Sequence, residues 1–490
     1  MDELLTHALR ERILARIVPT SEEVKKQQQV TDSLVDALSR RAKILDQHYS
    51  FIEPQGSTGR KQTQLRGAAD IDLFVGLKPD DYAETLALQT KERQRSIDDL
   101  LNSLVDAWFI PALKGLDARN MQKTYSQHPY LSLVLKGLDV DIIGCFDVSA
   151  DELACDGPIT AVDRTVHHTR YVVAHMNDRT REDVRILKSF VRASHAYGDA
   201  AAVGKTGFTG YSLELAVIMV GGFDSAIMAI RNLENSPMDP LGRPLENLRA
   251  IPAFRDDYVF IIDPTDQRRN VASSFTSRTC RWLSHRVDML LENAHSGIDD
   301  TIGFFVETPV PNEPLPQSVA AHALVFEFVS DETVHYTVIR DKLYRVAADI
   351  SSILERERNG ERRFGRVLTE VHFEGNRFAL GILVERPEIP AVYPRRGPSS
   401  NLETPSAEFR RAHPSVYEQD GYLWVDERRQ WTSASQLCRH IMKEHQVRGL
   451  GLSKDSTVVS SRVLCVLYRY VLPLEKDFIM EDKEGFATTA

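Results

Sequence analysis

The sequence predicts an α+β chain of several domains. Three observations lead there. Its 490 residues exceed what one hydrophobic core organises. Helical periodicity in the first fifty residues gives way at Phe51 to short alternating runs, then returns in a rather apolar stretch, 164–233. Past a proline-rich linker at 308–316, a strand, a helical stripe and a strand pair follow in turn.

Taken in order, Thr20 with Glu23 three residues on, just after Pro19, makes a capping box. Val30, Leu34, Leu38 and Leu45 then recur near helical spacing. Residues 70–77 alternate as a strand does, 81–108 read as a helix, and strands 131–136 and 138–146 are hinged at Gly137. Residues 185–197 read as one helix stopped by Gly198. Further on, 323–329 is a strand, and Ile339, Leu343, Val346, Ile350 and Leu354 form a helical stripe. Residues 366–373 and 378–385 make a strand pair. That β-α-β-β order resembles a ferredoxin-like or RNA-recognition sheet. A proline-rich connector, 387–405, leads to a small mixed α/β tail. The expected domains are a head at 1–155, a helical centre at 156–300, a body at 301–395 and a tail at 396–490.

Composition narrows the class. Apolar residues make up 42% and charged residues 27%, the balance of a packed chain rather than a disordered one. No run reaches the ~18 apolar residues of a membrane span. The best stretch, 213–230, is broken by Glu214, a glycine pair and Asp224. The opening Met1-Asp2-Glu3-Leu4-Leu5 lacks the basic-then-apolar layout of a signal peptide. Cys145, Cys155, Cys280, Cys438 and Cys465 lie far apart, which argues against a disulfide frame or a cysteine zinc site and for a reducing, cytoplasmic setting. A net charge of −10 gives no general attraction for nucleic acid, so such a partner must be held by a local basic patch.

The most informative stretch runs Gly56-Ser57-Thr58-Gly59-Arg60, then Leu65-Arg66-Gly67-Ala68-Ala69-Asp70-Ile71-Asp72. On a strand Asp70 and Asp72 share one face, while Ile71, Leu73, Val75 and Leu77 share the other. Two adjacent carboxylates repel and raise each other's pKa unless a divalent cation sits between them, and magnesium takes such a pair together with substrate phosphates and water. A two-metal site needs a further carboxylate from another strand. Asp139 and Asp141, opposite Leu138, Val140 and Ile142, supply it. Gly56 and Ser57 can offer backbone N–H groups and a hydroxyl to a terminal phosphate, with Arg60 close behind. An isolated Asp-x-Asp is more often a solvated strand end; joined to the Gly-Ser turn and a second acidic strand, it reads as a site.

This combination resembles the nucleotidyltransferase signature of the DNA-polymerase-β superfamily. Within it, the series Ala161-Val162-Asp163-Arg164-Thr165-Val166-His167-His168, Asp183 to Phe190, Ala196-Tyr197-Gly198, Gly207 to Leu215, Ile262 to Asp266 and Arg269 to Ala272 resembles the class I (archaeal-type) CCA-adding tRNA nucleotidyltransferases. The block from Gly397-Pro398 to Glu427-Arg428-Arg429 is similar to that family's C-terminal region. The resemblance implies a polymerase-β-like head and template-independent addition of C, C and A to the 3′ end of tRNA from CTP and ATP. It also implies Mg²⁺ held by Asp70, Asp72 and Asp141, with Asp141 preparing the primer hydroxyl. The triphosphate would fall to Gly56, Ser57, Arg60, Thr165, His167, Lys188 and Tyr197, and Arg269 would lie near the base. The chain departs from the family spacing by one extra residue between Ser57 and Asp70. One fewer stands between Arg164 and the histidine pair, which leaves His168 as the alternative to His167. Thr63 and Gln64 occupy the stretch where the family carries a Trp.

Read by position alone, several of these residues have plainer explanations. A lysine at 188 on an amphipathic helix reads as a snorkelling surface residue. On an ideal helix Lys188 and Tyr197, nine residues apart, lie on opposite sides, so both reach one triphosphate only if the helix ends or bends before Tyr197, as Gly198 permits. Glu214 reads as a paired core carboxylate, Trp424 and Trp431 as core, and His440 and His445 as surface. For RNA, the basic candidates are Arg362, Arg363 and Arg366 (with Glu355, Glu357 and Glu361 nearby), Arg395-Arg396 and Arg410-Arg411. They would grip the acceptor stem through its shape and backbone. The rival reading is a signalling synthetase making oligoadenylate or cyclic dinucleotides, which shares the carboxylates but needs no tRNA-binding body and tail. A third is a catalytically silent RNA-binding relative, against which the intact acidic triad speaks. The sequence leaves oligomeric state open, a homodimer included.

Overall fold

A computed structural model describes residues 4–68, 70–125, 128–293, 297–356, 362–445, 447–481 and 487–488. Ala69, Glu357, Glu361 and the first three residues lie outside the described residues. The chain divides into two compact units. One comprises Met1–Gly198, Phe208–Phe275 and Leu283–Glu307; the other comprises Asp199–Gly207, Thr276–Trp282 and Thr308–Ala490.

The first unit opens with α1 (His7–Ile17) and α2 (Ser21–Leu45). The capping box closes as expected: Glu23 N donates to Thr20 Oγ1 at 3.2 Å, and Thr20 N donates to Glu23 Oε2 at 2.6 Å. Val30, Leu34 and Leu38 are buried, but Leu45 is 38% exposed, because the helix ends there and Asp46 turns left-handed (φ 52°). A five-stranded sheet follows: β1 (Phe51–Pro54), β2 (Ile71–Leu77), β3 (Ala118–Tyr125), β4 (Pro129–Leu135) and β5 (Leu138–Phe146), in the order β1-β2-β5-β4-β3. Strands β2 and β5 are parallel and the other neighbours antiparallel. Lys136 and Gly137, both at positive φ, form the tight turn between β4 and β5, as a two-residue hairpin requires. Ile71, Leu73, Val75, Val140 and Ile142 pack with Leu34, Leu38 and Trp108 in one core.

The helix expected over 81–108 is broken. A 3₁₀ turn at Pro79–Tyr82 and a short helix at Ala83–Leu86 precede α3 (Thr90–Leu104), which starts afresh after an extended Gln89 and runs into a π turn at Val105–Phe109. Then come α4 (Arg164–Ala174), α5 (Asp178–Ala193), α6 (Gly210–Val220) and α7 (Phe223–Arg231). The helix expected over 185–197 begins earlier, where Asn177 caps it, and ends at Ala193; His195 (φ 54°) then redirects the chain. Helices α6 and α7 are bent by 112° at Gly221 and Gly222, and among the described residues no single helix is long and apolar enough to cross a membrane. A small hairpin, β6 (Ile262–Asp263) and β7 (Asp266–Asn270), follows.

In the second unit, β8 (Ala323–Ser330), α8 (Tyr336–Glu355), β9 (Val367–Glu374) and β10 (Arg377–Val384) give the expected β-α-β-β order. A separate three-stranded sheet is built from β11 (Val392–Ser399), β12 (Tyr417–Gln419) and β13 (Tyr422–Arg428), with α9 (Glu403–Ala412) against β11. Helix α10 (Ala434–Glu444), β14 (Leu450–Leu452) and α11 (Val458–Val466) follow. The main sheet runs β14-β8-β10-β9, all antiparallel, which is the ferredoxin-like order. Its fourth strand comes from beyond residue 395; three residues are too few to show an alternating pattern. Ile339, Leu343, Ile350 and Leu354 pack on Phe378, Leu380 and Ile382. On the other face Ala379 meets Val459 and Val463, and a Cβ at Gly381 would lie 2.8 Å from Leu467. With helices on both sides, the sheet offers no open face for stacking bases.

Candidate functional site

Strand register builds the acidic centre. Ile71 pairs with Val140 and Asp72 with Asp141 across the parallel β2–β5 ladder, so the two carboxylates stand side by side while their apolar neighbours enter the core. Asp141 also pairs with Ser132 on β4, and Ser132 with Gln122 on β3. The Ser132 hydroxyl donates to Asp141 Oδ1. Asp70 stands immediately before β2 and its charge is felt by both Asp72 and Asp141. Burial, then the charges of Asp141 and Asp70, push Asp72 up to about 6, with Lys61 pulling the other way. Burial and Asp139 raise Asp70 against the pull of Arg192. Burial also raises Asp141, opposed by the Ser132 hydrogen bond and reinforced by Asp70 and Asp139.

The Gly-Ser turn lies directly on this centre. Gln55 N donates to the Asp72 carbonyl at 2.8 Å, and Thr58 Oγ1 to the Asp70 carbonyl at 2.6 Å. Gly56 sits at φ 66°, and a Cβ there would fall 2.3 Å from Asp72 Oδ2. No other residue fits so close to the carboxylate. The Ser57 carbonyl accepts from Thr63 N at 2.9 Å, and Arg60 is exposed. The carboxylates do not form a closed cage: among the described residues no three His, Cys, Asp or Glu side chains are arranged to hold an ion unaided. Clustered hard oxygen ligands whose repulsion remains uncancelled fit a divalent cation that completes its shell with phosphate and water.

Beside this centre lies a buried ionic cluster. Lys188 is not a surface residue. It is 2% exposed, and its Nζ donates to Glu214 Oε1 at 2.8 Å and to Thr63 Oγ1 at 2.9 Å. Lys61 Nζ reaches Glu214 Oε2 at 3.0 Å, and Thr63 Oγ1 donates to Glu214 Oε1 at 2.6 Å. Glu214 is thus a paired core carboxylate, as its position suggested. Burial pushes its carboxyl up, but the charges of Lys188 and Lys61 outweigh this and hold it at about 2. One stripe of α5 clasps the loop that carries Lys61: Arg181 donates to the Lys61 carbonyl, Arg185 to those of Gln62 and Gln64, and Lys188 to that of Thr63. Because α5 ends at Ala193, Tyr197 does come round to Lys188. A Cβ at Gly210 would meet Tyr197 Oη at 3.0 Å and Lys188 Nζ at 3.5 Å. Burial and Glu214 push the Tyr197 phenol up to about 12.

A second cluster joins α4, α6 and the β6–β7 hairpin. His168 Nε2 and Arg269 Nη1 stand 2.8 and 3.1 Å from Asp263 Oδ2, and Tyr211 Oη donates to Asp263 Oδ1 at 3.0 Å. The His168 ring stacks on Tyr211 with centres 4.0 Å apart, and Lys61 Nζ lies 5.2 Å from the Tyr211 ring centre. Burial lowers the His168 pKa, with Asp263 opposing. The preferred histidine, His167, points elsewhere: its Nε2 lies 2.9 Å from the Val148 carbonyl. Thr165, in the first turn of α4, is half-buried. Lys61, Arg192, Tyr211 and Asp263 received no role from the sequence. Tyr211 and Asp263 lay within the family-like blocks, whereas nothing local marked Lys61 or Arg192.

Of the basic candidates for RNA, several are tied within the second unit. Arg366 pairs with Glu475 at 2.7 Å, Arg395 with Glu427 at 2.5 Å and Arg410 with Glu418 at 3.4 Å. Arg363 donates to the Trp431 carbonyl, and the Arg396 guanidinium lies 3.6 Å from the Tyr422 ring centre. Arg362 and Arg411 are exposed. Trp424 and Trp431 are half-buried rather than core; Trp431 stacks on an exposed His440, and His445 is half-buried.

A family model described as tRNA nucleotidyltransferase, second domain, matches residues 182–298. A CCA-adding enzyme of Saccharolobus islandicus (strain Y.G.57.14) is 26% identical over 438 residues, 89% of this chain and 92% of that one. The CCA-adding enzyme of Methanosarcina mazei is 25% identical over 466 residues, 93% of this chain and 92% of that one. Among solved structures, CdnC of E. coli MS115-1 with ATP aligns at a TM-score of 0.44 with 16% identity, over 62% of this chain and 96% of that one. The chain thus carries a match to a tRNA nucleotidyltransferase domain and a likeness to archaeal CCA-adding enzymes that runs almost end to end.

Proposed function

We propose that this chain adds C, C and A to the 3′ end of tRNA, drawing on CTP and ATP, in the cytoplasm. The observation that carries the reading is the likeness to CCA-adding enzymes over 89–93% of the chain, which takes in body and tail as well as head. A signalling synthetase would share the acidic centre and would not need the rest, so the same extent of likeness does not favour it.

In this reading Asp70, Asp72 and Asp141 hold divalent cations, taken to be Mg²⁺, which when bound neutralise the triphosphate and acidify the primer hydroxyl. Ser132 occupies Asp141 Oδ1, which leaves Oδ2 to accept a proton from the primer 3′-hydroxyl. Gly56 and Ser57 offer N–H and hydroxyl donors to the terminal phosphate, with Arg60, Lys188 and Tyr197 beside them. His168, rather than His167, joins Arg269 on the nucleotide side, with Thr165 one turn away. The oxygen of the primer attacks the α-phosphorus and pyrophosphate leaves. Body and tail bind the acceptor stem, Arg362, Arg396 and Arg411 supplying phosphate contacts.

The test is to incubate the protein with CTP, ATP and a tRNA ending at its discriminator base, then sequence the product. Extension by CCA supports the reading. Nucleotide products formed without tRNA would reject it.

A further inference from the structure

We propose that Lys61 is a second triphosphate-binding lysine, sharing Glu214 with Lys188 and closing the gap between the acidic centre and the His168–Arg269 cluster. The inference deepens the nucleotidyltransferase reading and rests on it.

Charge counting comes first. Lys61 and Lys188 are 5% and 2% exposed, and both bind the one carboxylate of Glu214, itself 2% exposed. Two buried ammonium groups share one buried carboxylate, so Glu214 answers one of the two charges; the other anion Lys61 feels is Asp72, whose charge the proposed cations would take up. A buried charge of that kind is costly unless something answers it. Position comes next. Lys61 acts on Asp72 on one side and on His168 on the other, and its Nζ lies 5.2 Å from the Tyr211 ring centre. It therefore stands between the carboxylates that would hold cations and the cluster that would hold the nucleotide, where the phosphates of an incoming substrate must pass. A polyphosphate is the anion that fits.

The loop is built to deliver it. This is the stretch with one residue more than the family spacing, and Gln62 takes a left-handed conformation (φ 50°) within it. Arg181 holds the Lys61 carbonyl at 3.2 Å, and Arg185 holds Gln62 and Gln64 at 2.6 and 3.2 Å. The backbone is pinned from outside while the side chain turns inward. A lysine needed only to neutralise Glu214 would duplicate Lys188.

The experiment titrates ATP and AMP, each with Mg²⁺ and without tRNA, into the full-length protein by calorimetry. The wild type is expected to hold ATP more tightly than AMP. Lys61→Gln keeps a donor toward Glu214, and is expected to weaken ATP by about 10- to 100-fold, the range of a charge-assisted hydrogen bond, with AMP unchanged within about twofold. Equal weakening of both ligands, or a lowered Tm with the ATP/AMP ratio intact, would overturn the proposal and assign Lys61 a structural role. Lys61→Arg serves if the glutamine variant does not fold: retention of the ATP/AMP ratio supports a charge role, and loss of the ratio in a folded protein counts against it. A wild type with no preference for ATP would instead sink the nucleotide-pocket reading itself.

Discussion

Asp72 and Glu214 are two carboxylates of the same unit, pushed in opposite directions. Asp72 rises to about 6 and Glu214 falls to about 2. Burial raises both, so burial does not distinguish them. Neighbours do: Asp72 faces Asp141 and Asp70, while Glu214 accepts from Lys188, Lys61 and Thr63. The first is an arrangement that repels itself and waits for cations; the second is a carboxylate already answered by the two lysines around it. The difference teaches that two carboxylates of one unit can be driven in opposite directions, with the sign of the surrounding charge deciding which way each goes.

The sharpest way to break the comparison is Asp72→Asn. Nucleotide addition is expected to fall by at least about 10³-fold, since the substitution removes a metal-ligating charge. Stability should move the other way. A folded-state pKa raised to about 6 from 3.8 means that Asp72 is best tolerated below about pH 4 and destabilises as pH rises through 6. The variant is therefore expected to be more stable than wild type by about 1–3 kcal/mol at pH 7, with the gap closing below pH 4. Urea unfolding without divalent cations, at several pH values, checks this.

Glu214→Gln probes the other side. It strips two buried lysines of their partner and should cost about 3–5 kcal/mol in thermal or urea unfolding. In the wild type the same group gives a pH signature of opposite sign. Its pKa is lowered from 4.5 to about 2, so its contribution is present above pH 4.5 and is lost as pH falls toward 2, about 3 kcal/mol in all. The variant should lack that part of the acid transition.

Two smaller changes sharpen the acidic centre. Gly56→Ala would place a methyl 2.3 Å from Asp72 Oδ2 at a φ of 66°. A fall of about 10- to 100-fold in kcat is expected, with about 1–2 kcal/mol lost in stability from the left-handed backbone. Ser132→Ala frees Asp141 Oδ1 and should lower kcat by about 3- to 10-fold with KM for CTP little changed; Ser132→Thr should recover most of it.

Much of this was legible in the chain. The alternation 70–77 placed Asp70 and Asp72 opposite a core-facing Ile71 and Leu73, and the same pattern served Asp139 and Asp141, because a period of two reveals which residues share a face. The capping box at Thr20 and the stripe from Ile339 to Leu354 were equally plain. The end of α5 was not. Nothing in 185–197 announces that the helix stops at Ala193 and His195 turns left-handed, so the sequence left the meeting of Lys188 and Tyr197 conditional on such a break. The choice between His167 and His168 was not legible for a related reason: adjacent helical residues diverge by about 100°, and only the packing of α4 against Val148 and Asp263 tells which way each points.

The sequence by itself determined most element types, the acidic strands, the Gly-Ser turn and a likeness to one family, because each is written in local periodicity or in blocks of residues. Only the tertiary structure decided which groups share a space. It set Asp72 opposite Asp141 through a parallel register, sank Lys188 and Lys61 onto Glu214, and slipped Leu450–Leu452 into a sheet otherwise formed before residue 395. These pairings join residues tens to more than a hundred positions apart. Their energies depend on burial and on neighbouring charge, quantities that exist only once the chain has folded.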